Sequence, residues 1–166
     1  MSSSLSLSGS ISAITLATGN PDEFAGQTCE ITGWGRTCGT CKYFTKTKSD
    51  RTCGTCNNIT KTNAGVNCGT CGLPTTLQSL SMQVLRNSEC KNYWSANNII
   101  DGHICVFQGT GFSACNGDSG GPMVCSGQLA GVTSWGQSGC PGSRPSVYTR
   151  IGVYKNWMDY VIASNS

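Results

Sequence analysis

Apart from one stretch near the C-terminus, the apolar runs of this chain are too short to be more than single strands, and Gly, Ser, Thr, Asn and Pro fill the gaps between them. The candidate strands are 12–17, 29–33, 78–84, 103–106, 122–125, 128–133 and 146–150. Many short strands punctuated by turn residues close most readily into a small antiparallel barrel. Composition agrees: apolar residues are 37% and charged residues 11%, against about 45–50% and about 25% in an average globular chain. A core is within reach of 166 residues, although disulfides would help to hold it. The exception is the tail 154–163, where Tyr154, Trp157, Met158 and Val161 recur at helical spacing. It predicts an amphipathic helix packed against the barrel.

The chain has 12 cysteines, an even and high number that favours disulfides and an oxidising compartment. Half of them lie in a repeat. Residues 36–50 read RTCGTCKYFTKTKSD, residues 51–65 read RTCGTCNNITKTNAG, and a shortened copy begins at Val66 with VNCGTCG. The copies have almost no apolar residues to stack, so 36–71 is expected to be a Cys-rich insertion in a surface loop. Asn58-Ile59-Thr60 is a glycosylation sequon, which suits such a loop. The paired cysteines Cys38/Cys41, Cys53/Cys56 and Cys68/Cys71 could form disulfides, bind zinc as Cys-x-x-Cys units do, or exchange redox equivalents. Six thiols overfill a four-ligand zinc site, and no helix follows to activate a thiol, so disulfides are favoured and neither metal nor cofactor is expected. The basic residues Arg36, Lys42, Lys46, Lys48, Arg51 and Lys61 face one acid, Asp50, in this segment. Without a groove or recognition helix they read as a solvated loop face, not a nucleic-acid site. Nothing is long enough to span a membrane, and residues 1–18 lack the basic start of a signal peptide. Met1 is therefore not expected to be the start of the mature polypeptide.

The chemistry is concentrated at Cys115-Asn116-Gly117-Asp118-Ser119-Gly120-Gly121-Pro122, where a hydroxyl nucleophile sits among glycines that permit close approach of a substrate. With Gly33-Trp34-Gly35, Ser134-Trp135-Gly136, Pro145-Ser146-Val147-Tyr148 and the terminal helix, this run resembles the C-terminal barrel of a chymotrypsin-like serine protease over about residues 10–35 and 72–166. The resemblance implies an all-β fold, with one Greek-key antiparallel barrel and a C-terminal α-helix. It implies that Ser119 is the nucleophile position and that the Gly117 and Ser119 N–H groups form the oxyanion hole. Asp118 matches the carboxylate that pairs with the amine freed on activation. Without that amine, the loop around Ser119 is expected to be latent. Ser113 matches the floor of the primary specificity pocket; serine there favours apolar or aromatic side chains over Lys or Arg. Ser134, Trp135 and Gly136 match a pocket wall and the edge that pairs with substrate backbone, and Ser146, where many members have Gly, narrows the pocket. The resemblance also implies the disulfides Cys29–Cys125, Cys90–Cys105 and Cys115–Cys140, secretion, and a peptide or protein substrate.

The base and orienting aspartate of such a protease belong to an N-terminal barrel that the resemblance does not find here. The chain has one histidine, His103, in a predicted strand where the match gives it no catalytic role. The expectation is a fragment of a serine endopeptidase, inactive by itself, with a missing N-terminal barrel as its partner. The alternatives are a non-catalytic pseudoprotease that binds a partner and a metal-binding Cys-rich module.

Overall fold

The structure is a computed structural model and describes residues 7–19, 22–37, 73–109 and 111–165. Seven strands form: β1 (Thr15–Leu16), β2 (Thr28–Gly33), β3 (Gln78–Leu85), β4 (His103–Phe107), β5 (Pro122–Cys125), β6 (Gln128–Trp135) and β7 (Ser146–Arg150). β2 pairs with β3, β3 with β4, β4 with β7, β7 with β6, β6 with β5, and β5 back with β2, each pair antiparallel. The sheet therefore closes into a six-stranded barrel. The chain passes from β4 to β5 without pairing them, as a Greek key requires. β1 lies outside this closure, parallel to β6. It is shorter than the expected strand because the chain before it is not paired, and Ile11 and Ile14 there are exposed.

Alternation sends Cys29 and Ile31 of β2, Met82 and Val84 of β3, and Ile104 and Val106 of β4 inward, where they pack with Met123, Ala130 and Tyr148. The register opposes Glu30 and Val124, so the preceding Cys29 bonds to Cys125 across the β2–β5 pair. A second apolar cluster fills the outer side of β4 and β7 with Cys90, Ile99, Cys105 and Val147. Its cover is the short helix α1 (Asn87–Cys90) and a 3-10 turn (Ala96–Asn98), held by the Cys90–Cys105 disulfide.

Arg150 closes the β7 end of this cluster. It is buried, and its Nε donates to the Asp101 and His103 carbonyls at 3.0 Å while Nη2 donates to Asn87 Oδ1 at 3.1 Å. Burial lowers its pKa, and the nearby Asp22, Asp101 and Glu23 charges oppose that shift.

The C-terminal helix α2 (Ile151–Ser164) forms over the expected stretch, but the barrel leaves much of its apolar side uncovered. Trp157 is 63% exposed, and Tyr154 and Val161 are also exposed. Ile151 is buried and Met158 half-buried on the inner side of the helix, and the Tyr154 ring lies against Gly102 just before β4. Helical spacing predicts an apolar stripe but not the neighbour that covers it.

Candidate active site

The loop between β4 and β5 is built around one carboxylate. Asp118 Oδ1 accepts the Gly35 N–H at 2.8 Å and Oδ2 accepts the Cys115 N–H at 2.9 Å. The Arg36 N–H donates to the Asn116 carbonyl at 2.9 Å. The end of β2 is thus clamped to the loop on both sides of Gly117. This approach needs Gly33 and Gly35, because a Cβ on either would overlap the Asp118 carboxylate. Gly117 has φ +104°, a conformation that favours glycine, and a Cβ there would lie 3.0 Å from Gly35 Cα. Asp118, expected to lack a partner, has two backbone donors, so an amine is not required to satisfy its carboxylate.

Ser119 stands exposed at the apex of this loop. Beyond it, the Gly120 N–H donates to the Thr133 carbonyl and the Thr133 N–H to the Gly121 carbonyl, both at 2.9 Å, docking the loop onto β6. Among the described residues, the Gly117 and Ser119 N–H groups have no internal hydrogen-bond partner. Two unused donors beside an exposed hydroxyl can receive a developing oxyanion.

Ser113 and Ser146 meet on the pocket side. Their hydroxyls are 3.1 Å apart, Ser113 Oγ donates to the Ala114 carbonyl at 2.7 Å, and Ser146 Oγ accepts the Ala114 N–H at 3.2 Å. The pair is neutral, and Ser146 is buried. Gly136 runs past it, its Cβ position 3.9 Å from Ser146 Cα. A register shift between Thr133 and Trp135 in the β6–β7 pairing leaves Ser134 exposed at the irregularity. The Cys115–Cys140 disulfide joins the Ser119 loop to the segment after β6.

Trp135 is braced by a cluster that sequence reasoning missed. Trp94 meets it edge-on at 5.0 Å between ring centroids, Arg144 lies 5.0 Å over the Trp94 ring, and Trp94 Nε1 donates to the Pro145 carbonyl at 3.2 Å. His103 makes a T-shaped contact with Trp135 at 5.8 Å, and its Nδ1 accepts the Ile100 N–H at 3.4 Å. Desolvation lowers its pKa, an Asn98 backbone hydrogen bond raises it, and the Arg150 charge lowers it further. These contacts make His103 a neutral brace in the wall.

A cavity of about 240 Å³ opens behind the loop, with Asp118, Ser113, Tyr148, Ile31 and Leu80 among its lining residues. The Tyr148 hydroxyl is enclosed and makes no hydrogen bond of good geometry. Burial pushes its pKa up, with the Thr133 side chain the polar neighbour that tempers the rise. Sequence reasoning had no signal for this hydroxyl, which reads as another alternating core residue. Cys38, Cys41, Cys53, Cys56, Cys68 and Cys71, with most of the 36–71 insertion, lie outside the described residues. Among the described residues no three His, Cys, Asp or Glu side chains converge on a metal site, and no helix is long and apolar enough to cross a membrane.

Comparison with known proteins agrees with this geometry. The family model for Trypsin matches residues 57–158. A chymotrypsin-like serine proteinase of Haliotis rufescens is 52% identical over 88 residues, covering 51% of this chain and 34% of the relative. The fibrinolytic enzyme, isozyme C, of Lumbricus rubellus is 37% identical over 169 residues, covering 95% of this chain and 57% of the relative. Among solved structures, mouse neuropsin, a serine protease, aligns with a TM-score of 0.71 at 27% identity, over 97% of this chain and 58% of that one. The chain thus spans at most 57% of either of these two relatives.

Proposed function

Because the chain belongs to the trypsin family of serine proteases, we propose that it is the nucleophile-bearing part of a secreted endopeptidase and does not hydrolyse peptides by itself. Ser119 Oγ attacks the scissile carbonyl, and the Gly117 and Ser119 N–H groups take the negative charge that develops on its oxygen. The proton of Ser119 must go to a base, and the one histidine within these 166 residues, His103, is committed to Ile100 and Trp135. Base and orienting carboxylate come from a polypeptide outside this chain. Without the base, turnover falls by on the order of 10⁶.

The neutral Ser113–Ser146 pair supports a preference for apolar or aromatic side chains, since a Lys or Arg head would find no counter-charge at that depth. Ser146 narrows the pocket, and Ser134, Trp135 and Gly136 offer the wall and backbone edge for the substrate. Asp118, read as the partner of a freed N-terminus, here holds the Gly35 and Cys115 N–H groups instead. Disulfides and family together support an extracellular place of action.

The observation that carries this reading is the exposed Ser119 on a loop pinned through Asp118, with two free N–H donors beside it. The test is incubation of the purified chain with a fluorophosphonate probe and with Phe- or Leu-containing peptides. Neither labelling nor cleavage is expected. Cleavage that disappears in Ser119→Ala would overturn the claim that the base is lacking.

A further inference from the structure

Asn116 and Gly117 are the two central residues of a turn, closed where the Asp118 N–H donates to the Cys115 carbonyl at 3.0 Å. Both are exposed. Such a turn leaves the N–H of its third residue unused, and that residue is Gly117. Among the described residues the Asn116 side-chain amide makes no hydrogen bond; its backbone carbonyl alone is held, by the Arg36 N–H at 2.9 Å. A free backbone nitrogen therefore adjoins a free side-chain carbonyl, and Gly117 has no side chain to stand between them.

Other asparagines lack this combination. Asn116-Gly117 is the one Asn-Gly step in the sequence. Asn87 is buried, its Nδ2 donating to the Ile100 carbonyl and its Oδ1 accepting from Arg150. After Asn92 and Asn97, the Tyr93 and Asn98 N–H groups are committed to the Cys90 and Ser95 carbonyls at 3.0 and 2.8 Å. Asn156 is followed by Trp157 inside α2, where the N–H belongs to the helix ladder.

We propose that Asn116 is a self-modification site whose conversion to isoaspartate withdraws an oxyanion donor from the Ser119 loop. The Gly117 nitrogen gives its proton to hydroxide and bonds to Asn116 Cγ, and the side-chain nitrogen leaves as ammonia, so a cyclic imide closes. Water then opens the imide at either carbonyl, giving aspartate in one case and isoaspartate in the other. Isoaspartate carries the main chain through the former side chain. It inserts a methylene before Gly117 and turns the carbonyl that held the Arg36 N–H into a free carboxylate. The extra length falls inside the turn that Cys115 and Asp118 close, so the Gly117 N–H moves out of line with the Ser119 N–H. The new negative charge also opposes an oxyanion. The position stays open in a complete enzyme too, because the donor must reach a substrate. This loss of function rests on the reading of Ser119 given above; the reaction at Asn116 does not.

The test is to age the purified full chain at neutral and alkaline pH, folded and, in parallel, reduced and unfolded in guanidinium. Peptide mapping by mass spectrometry with electron-transfer fragmentation separates asparagine, aspartate and isoaspartate at each position. Asn116 is expected to convert first, and faster at alkaline pH. Its rate in the folded chain is expected to lie within about tenfold of that in the unfolded one, since an open loop reacts without unfolding. Amide exchange is expected to show Cys115 losing protection in the isoaspartate fraction but not in fresh Asn116→Asp, which adds the charge without the methylene. Asn116 still intact in the folded chain after the unfolded one has converted would overturn the proposal. So would earlier conversion of Asn92 or Asn156, or equal Cys115 protection in the isoaspartate and fresh chains. None of these readouts requires hydrolysis, so they stand apart from whether Ser119 finds a base.

Discussion

Gly35 and Asp118 lie 83 residues apart in sequence and are joined by a 2.8 Å hydrogen bond from backbone to carboxylate. The strand end thus sets the shape of the loop that carries Ser119. Asp118→Ala removes the acceptor for both Gly35 and Cys115 and is expected to destabilise the protein by about 2–4 kcal/mol. Gly35→Ala should act the same way, by pushing the carboxylate out. Urea denaturation gives the loss, and hydrogen exchange should show Gly35 and Cys115 amides losing protection together. Protection unchanged in Asp118→Ala would contradict the clamp.

The pocket floor gives a second prediction. Indole is expected to bind the chain weakly, by its fit to an uncharged pocket. Ser113→Asp should weaken indole binding and create binding of benzamidine, whose amidinium would pair with the new carboxylate. The variant should also lose about 1–3 kcal/mol of stability, the cost of a buried carboxylate with only partial hydrogen bonding. Chemical-shift titration of Ala114 and Gly136 amides reads both ligands. Unchanged ligand preference in a folded Ser113→Asp variant would place the floor elsewhere.

His103 makes stability depend on acid. Burial lowers its folded pKa below the unfolded value of 6.5, so the unfolded chain takes up the proton first as pH falls. Stability is full above about pH 6.5 and is lost as pH falls from there through the lower folded pKa. His103→Gln should remove this component of the pH profile, measured by thermal unfolding between neutral and mildly acidic buffers. An unaltered profile would mean that His103 does not titrate with folding.

The disulfides differ in the length of chain they close. Cys29–Cys125 spans a sequence separation of 96 and Cys90–Cys105 one of 15. On chain-entropy grounds, replacing the first pair by alanines should cost about 4–5 kcal/mol and the second about 3 kcal/mol. Calorimetry of the two double variants compares them, and the reverse ranking would show that native packing, not loop closure, dominates.

The barrel was largely legible in the sequence because alternation and turn residues are local signals. β5 and β7 were read to the residue, and β2, β3 and β4 to within one. α1 and the 3-10 turn were not seen, since four and three residues carry no helical period, and α1 is held by the Cys90–Cys105 bond. At the site, Gly33-Trp34-Gly35 stood out in the sequence, but its physical reason was invisible until Asp118 was placed against it. The Trp94–Arg144 brace behind Trp135 and the enclosed Tyr148 hydroxyl likewise depend on residues brought together only by the closed sheet. The helix at the end of the chain packs on the barrel as its spacing predicts, but a stripe of apolar residues does not say how much of it that body will cover, and Trp157 stays exposed.

The bridge between Cys115 and Cys140 ties together two segments that the bridges of the barrel strands do not reach. One end lies in the loop that carries Ser119, the other in the segment after β6. In a reducing compartment the Cys29–Cys125 and Cys90–Cys105 bridges would open as well, and the Ser119 loop would lose its covalent tie to the segment after β6. Thiol chemistry thus bears on the barrel and on the Ser119 loop together.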